Sequence, residues 1–259
     1  MEAQILWLGA LQGLTEFLPV SSSAHLALLP QWFHWKDQGQ SVDVFLNLGT
    51  VAVLIFFLFP DLCAVCRGGC DTLRGRATAE RTQCIQILLA TLPVIVVGGL
   101  VEALCPLRLN HPVFLATITV IFSLILFFCD RRPTVSQHHP WRDALLIGGA
   151  QVFALLPGAS RLGVCLSIMR YLGYDRITSF RFSLLLSLPP VLGALTLKGL
   201  KVLKTPLPWS WLVLLGGCLT AFLCGKLVLK GMFAWLKRGG TWTPFVLYRL
   251  LLAVAMMML

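Results

Sequence analysis

Charge is what this chain has least of. Only 12% of its 259 residues are Asp, Glu, Lys or Arg, about half the share typical of a soluble domain. A water-soluble fold of this length needs a charged shell, so that class is excluded. Acidic groups are scarcest, 11 against 21 basic ones, for a formal net charge of +10. The Lys and Arg sit in short stretches between apolar runs. There they orient a membrane protein and meet anionic headgroups, so the basic excess does not point to nucleic acid. The first apolar run, 5–11, lacks the basic start and small-residue cleavage site of a signal peptide and is read as part of the mature fold. Most of the nine cysteines lie in or beside apolar runs, where a thiol acts as a small hydrophobe. Cys63, Cys66 and Cys70 in "CAVCRGGC" have ligand-like spacing, but metal sites usually close with four ligands and no histidine is near.

Long apolar runs fill the remainder. Residues 42–59, 85–101, 113–128, 182–197, 209–229 and 245–259 each approach the roughly 17–25 residues that cross a bilayer as a helix. Two further apolar regions are too broken to cross. One, 5–29, is interrupted at Pro19 and three serines; the other, 145–172, at "PGASR". Freed backbone at membrane depth is tolerated where it lines a cavity or is buried in protein. Both regions therefore read as re-entrant hairpins with polar tips. The expected fold class is an all-α, polytopic membrane protein with six transmembrane helices and two re-entrant helical hairpins, forming one integral membrane domain over 1–259.

The tips resemble each other. "LPVSSS" begins at Leu18 and "LPGASR" at Leu156, which places Ser22 opposite Ser160 and Ser23 opposite Arg161. Gln12 and Gln151 precede the tips with spacing that differs by one. Each half then reads as a hairpin plus three spans: 1–130 with hairpin 5–29, and 142–259 with hairpin 145–172. Three spans invert the second half relative to the first. Loop charge gives the same orientation. Lys36, Arg108, Lys198, Lys201 and Lys204 fall on the side from which the first hairpin enters, whereas the opposite loops hold Arg67, Arg74, Arg76, Arg81, Arg131, Arg132, Arg142, Arg170, Arg176, Lys230, Lys237 and Arg238. The richer side is expected to be cytoplasmic.

At each tip a half-helix begins, and its first N–H groups and dipole make an anion site suited to phosphate. Ser21, Ser22, Ser23 and Ser160 add caps and hydroxyl donors, while Arg161 adds a planar fork of donors. Glu16 is costly in a membrane and so a functional candidate. Gln12 lies one turn earlier, and the two together offer oxygen ligands to Mg²⁺. His25 follows Ser22 by three residues, so the pair can act as base and nucleophile, or His25 as nucleophile itself. The set fits phosphoryl transfer with electrostatic stabilisation. Asp43 either faces this pocket or sits at the interface; Arg181 and Arg249 either touch headgroups or diphosphate or, the favoured reading, snorkel.

At these residues the sequence resembles the undecaprenyl-diphosphate phosphatase family (UppP/BacA), nearly end to end. "LQGLTEFLPVSSSAHL" looks like the family's first signature and "LLPGASRLGVCLS" its second; "RFSLLLSLP" and "PFVLYR" are similar to further family stretches. The resemblance implies hydrolysis of undecaprenyl diphosphate to the monophosphate and inorganic phosphate, which recycles the cell-wall lipid carrier and bears on bacitracin resistance. It further implies a divalent cation, Mg²⁺ or Ca²⁺, and a bacterial inner membrane location with the pocket open to the periplasm. The partners expected are the polyprenyl diphosphate substrate, membrane lipids and a second copy of the chain as a homodimer. Carried over by position, Gln12 and Glu16 take the metal and acidic roles and Ser22 and His25 the nucleophile and acid/base roles. Ser160 and Arg161 hold phosphate, with Ser21, Ser23 and Gly158 beside them at the tips.

Three positions depart from the family pattern. Gln12 stands where many members have Glu, Leu162 replaces the second Ser of Ser-Arg-Ser, and Cys165 replaces a Thr. Loss of a hydrogen bond to a charged group costs about 1.5–3 kcal/mol, which sets an expectation of slower turnover. Two other classes remain as rivals: a polyprenyl-phosphate flippase, because inverted repeats with broken helices are a transporter architecture, and a non-catalytic lipid-binding relative.

Overall fold

The structure, a computed structural model, describes residues 2–35, 39–104, 111–202 and 209–258. Lys36, Arg108 and Lys204 lie outside the described residues. The chain runs α1 (Glu2–Glu16), α2 (Ser22–Trp32), α3 (Gln40–Phe57), α4 (Phe59–Leu73), α5 (Ala79–Leu104), α6 (Pro112–Asp130) and α7 (Pro140–Gln151). A 3-10 turn (Val152–Leu155) leads to α8 (Arg161–Tyr171), α9 (Arg176–Val202), α10 (Trp211–Lys237) and α11 (Thr243–Met257). No strand occurs among the described residues. The chain is an all-α polytopic membrane protein.

Four helices are long and apolar enough to cross a bilayer: α5, α6, α9 and α10, with mean hydropathies of 2.4, 2.5, 1.5 and 2.2. The expected count of six is not reached by this measure. The run at 42–59 ends early, because α3 turns by 78° into α4. Pro60 in the first turn of α4 explains the bend: it lacks an N–H and its ring collides with the carbonyl four residues back. Taken as one bent span, this pair raises the count to five. The run at 245–259 becomes α11, apolar but only 15 residues long.

Both broken regions form helix–break–helix units whose two arms pack together, α1 on α2 and α7 on α8. Small residues set how they dock. A Cβ at Gly9 would lie 2.4 Å from the Gly217 carbonyl oxygen, and one at Gly13 2.4 Å from that of Ala221. With Gly225 these residues make a small-xxx-small face that brings α1 and α10 to backbone contact. Gly148 of α7 meets Ala90 of α5 in the same way, its Cβ position 2.8 Å from the Ala90 Cα.

Away from the breaks, a buried polar cluster ties four elements. Asp130 at the end of α6 accepts from Arg176 at 2.6 Å and from the Trp242 amide at 3.1 Å. Arg170 of α8 donates to the Asp130 carbonyl at 3.1 Å. Arg181, read from sequence as a snorkelling cation, instead pairs with Asp61 of α4 at 2.8 Å.

Candidate active site

Each break puts a serine in the left-handed region just before a helix restarts. Ser21 has φ 71° ahead of α2, and Ser160 has φ 66° ahead of α8. For a residue with a Cβ this conformation costs on the order of 1–3 kcal/mol and persists only where its surroundings hold it. Ser160 caps α8, its Oγ accepting from the Gly163 amide at 3.2 Å. Gly158, at φ 93°, passes so close to α6 that a Cβ would lie 2.9 Å from the Leu115 carbonyl oxygen. By conformation Ser21 corresponds to Ser160, one position from the Ser22–Ser160 alignment given by sequence. In that register Gln12 and Gln151 also correspond, which removes their one-residue mismatch.

One side chain binds both breaks. Arg249 of α11 is fully buried, not snorkelling. Its guanidinium donates to the Pro19 carbonyl at 3.1 Å, to Gly158 at 2.9 Å and to Ala159 at 3.1 Å. Pro19 and Gly158 are equivalent in the register set by the two serines, so the contact is near-symmetric. The reason lies in the backbone: each break frees carbonyls that no helix satisfies, and a five-donor fork can meet several at once.

Glu16 lies at the centre of the side chains so gathered. Its Oε1 accepts from Arg161 at 2.5 Å; its Oε2 accepts from Ser22 Oγ at 2.5 Å and from Gln12 Nε2 at 3.0 Å. Arg161 also reaches the Ser187 carbonyl of α9 at 3.4 Å. Asn47 of α3 joins through its Oδ1, 3.3 Å from Gln12 Nε2. A cavity of about 450 Å³ opens on this group. Glu16, Ser21, Ser22, Ser23, Asn47, Ser160 and Arg161 line its polar part, and Val94, Leu155, Val191, Ala194 and Leu195 an apolar wall. Its charged lining residues are Glu16, Arg161 and Lys198. The first two neutralise each other, so Lys198 supplies the excess positive charge.

Not every expected residue joins. Gly158 lies behind the tip, contributing its carbonyl to Arg249 rather than lining the cavity. His25 is buried with both ring nitrogens engaged. Nδ1 faces the Ser21 carbonyl at 2.8 Å, which can only accept, so Nδ1 carries the proton. Nε2, 2.7 Å from Tyr248, therefore accepts from its hydroxyl. His25 does not line the cavity, and its bond to Ser21 helps hold the left-handed cap. Asp43 does not line the cavity either; Asn47, one turn later, does. Leu162 lines it, whereas Cys165 sits behind, with its thiol 3.6 Å from Gln151 Oε1.

Sequence reasoning missed Asn47, Tyr248 and Lys198 as participants. Asn47 had a signal, an amide within the apolar run that became α3. Tyr248 lay inside the family-like stretch "PFVLYR" without being singled out, and Lys198 was counted only as a loop charge, because only the tertiary fold brings α11 and the end of α9 to the breaks.

The donors suit a hard cation. Gln12 Oε1 is buried without a partner, on the amide whose Nε2 donates to Glu16 and Asn47, so a half-turn of that amide would present the oxygen to them. A carboxylate, amide oxygens and a hydroxyl are ligands of the Mg²⁺ and Ca²⁺ type, with phosphate oxygens from a substrate completing the shell.

Comparison with known proteins places the chain among relatives of one kind. The family model described as bacitracin resistance protein BacA matches residues 5–255. An undecaprenyl-diphosphatase of Chromohalobacter salexigens is 37% identical over 96% of this chain and 96% of its own. Undecaprenyl-diphosphatase 1 of Rhodospirillum rubrum is 39% identical, covering 99% of this chain and 94% of its own. An undecaprenyl-diphosphatase of Marinobacter nauticus is 34% identical over 96% of each chain.

Proposed function

Because this chain belongs to the bacitracin resistance protein BacA family, we propose that its cavity hydrolyses undecaprenyl diphosphate to undecaprenyl phosphate and inorganic phosphate. The observation that carries the mechanism is the hydrogen bond from Ser22 to Glu16, inside a cavity that Arg161 also lines.

The terminal phosphate docks at the starts of α2 and α8, where unpaired amides, Ser160 and Arg161 meet its oxygens. Glu16 takes the Ser22 proton as Oγ attacks the terminal phosphorus. The Oγ–P bond forms and the bond from that phosphorus to the bridging oxygen breaks, so the polyprenyl monophosphate departs. Water then attacks the phosphoserine. Oγ recovers its proton from Glu16, water's proton goes to solvent, and phosphate is released. Gln12, Glu16 and Asn47 would hold Mg²⁺ or Ca²⁺, which when bound offsets charge on the phosphate oxygens. The apolar wall between α5 and α9 gives the polyprenyl tail a route toward lipid. Lys198, without an ion pair among the described residues, draws the anionic headgroup in.

The same reading makes the chain two inverted repeats in a bacterial inner membrane with the cavity facing the periplasm. Its support is the matched pair of breaks, each docked on a helix of the other half, and the arginine-rich opposite loops.

The test uses purified protein in detergent, where no second compartment exists. Phosphate release from undecaprenyl diphosphate, lost in Glu16→Ala and Arg161→Ala, is the expected result. No release from wild type would favour a lipid transporter or a non-catalytic binder.

A further inference from the structure

On the outer face of α6 the structure holds a second, largely apolar groove that the reaction does not use. Two adjoining hollows, of about 510 and 490 Å³, share Ile121, Ile125, Cys129 and Tyr171 as lining. Leu156 closes the inner end and also lines the active cavity, so the groove backs onto the second tip. Arg132 closes the outer end. From Ile121 to Arg132 a helix rises about 16 Å at 1.5 Å per residue, close to half of a roughly 30 Å hydrocarbon core. The groove thus has the length of one leaflet, running from a membrane interface to the depth of the tip.

One cation, Arg132, lines the interface end, and Arg131, next to it in the chain, lies beside the groove at the same level. The Arg132 guanidinium lies 4.7 Å over the Tyr171 ring, and that of Arg131 lies 3.6 Å over Phe127. Neither side chain makes an ion pair among the described residues. Stacking on a ring fixes a guanidinium's plane and leaves its N–H edge free for an anion.

We propose that this groove binds one anionic phospholipid of the bilayer, its phosphate on Arg131 and Arg132 and one acyl chain along Ile125 toward Leu156. The occupant follows from charge and shape: an apolar slot one leaflet long, ending in the unpaired Arg132 with Arg131 beside it at the headgroup level. Its inner end touches Leu156, so the lipid braces the second tip from outside the cavity.

Native mass spectrometry of the full chain in neutral detergent tests this, with phosphatidylglycerol and phosphatidylcholine of matched acyl chains as probes. Wild type is expected to hold one phosphatidylglycerol about 30-fold more tightly than phosphatidylcholine, from roughly fivefold per arginine at a membrane surface. Arg131→Gln with Arg132→Gln removes that preference, while Arg132→Lys keeps most of it. Ile125→Trp, at a site 40% exposed, fills the groove and weakens both lipids. Equal binding of the two lipids by wild type overturns the proposal, as does a preference that survives the arginine substitutions. Displacement of phosphatidylglycerol by lower concentrations of undecaprenyl phosphate also overturns it, assigning the groove to the reaction product instead.

Discussion

The Arg161 guanidinium lies 2.5 Å from the Glu16 carboxylate, although 145 residues separate them. One is the last residue of α1 and the other the first of α8, so the ion pair joins the two breaks at the cavity. Side-chain exposures of 25% and 11% leave it reachable by an anion from the cavity while shielded from bulk water. Glu16→Gln and Arg161→Ala are expected to lower kcat/KM for phosphate release by about 100-fold or more each. Arg161→Lys should recover only part, since an ammonium cannot reproduce the planar fork. Steady-state phosphate release checks this.

In the proposed mechanism the covalent bond falls to Ser22, which lines the cavity beside Glu16, and not to His25, which does not line it. Quenching the reaction and mapping by mass spectrometry is expected to find phosphate on residue 22. Ser22→Ala should abolish both the adduct and most turnover. His25→Gln should reduce activity less, through looser positioning of Ser21, and Tyr248→Phe less again. A phosphorylated His25 would reverse these assignments.

Arg249 satisfies carbonyls in both breaks at once. Arg249→Leu leaves Pro19, Gly158 and Ala159 without their donor in a membrane interior, where each orphaned group costs about 1–3 kcal/mol. Thermal unfolding in detergent is expected to show a loss of several kcal/mol, with Arg249→Lys intermediate. Turnover should fall with stability, although Arg249 does not line the cavity.

Leu162 lines the cavity, and Cys165 is hidden behind it against Gln151. Leu162→Ser is therefore expected to raise turnover by roughly tenfold, the value of one hydrogen bond to a charged group. Cys165→Thr should change it little, as the new hydroxyl would face Gln151. Comparison of the two single substitutions separates direct phosphate contact from a supporting role.

Asp175 caps α9, its Oδ1 accepting from the Ile177 and Thr178 amides at 3.0 Å each. Burial pushes its pKa up, but hydrogen bonds from Thr178 and the neighbouring amides outweigh this and hold it below the ordinary carboxylate range. A depressed folded-state pKa contributes stability above the unfolded value, about 3.9, and that stability is lost as pH falls through the folded value. Asp175→Ala should cost about 1 kcal/mol at pH 7. The gap to wild type should shrink as unfolding is measured toward pH 3.

The helices and the polar centre were legible because their signals are local. Apolar runs give α5, α6, α9 and α10, while Glu16, Ser22 and Arg161 stand out as polar chemistry at breaks in such runs. The register between the breaks was off by one, since the matched "LP" letters outweighed the conformation that Ser21 and Ser160 share. Pro60 carried the bend after α3, but an unbroken apolar run masked it. Arg249 stood out as a cation in "PFVLYR", but its carbonyl-binding role was not legible. Its role depends on carbonyls more than 85 residues away, and a lone arginine inside an apolar run has no sequence mark that separates burial from snorkelling.

Ser21 and Ser160 occupy backbone angles that glycine would adopt far more easily. A glycine at either position would let the following amides swing among several orientations. With serine the angle persists because His25 and Arg249 hold the backbone around it, so the donors stay aimed whether or not an anion is there. The organising work is completed during folding, and an arriving diphosphate meets a mould already set.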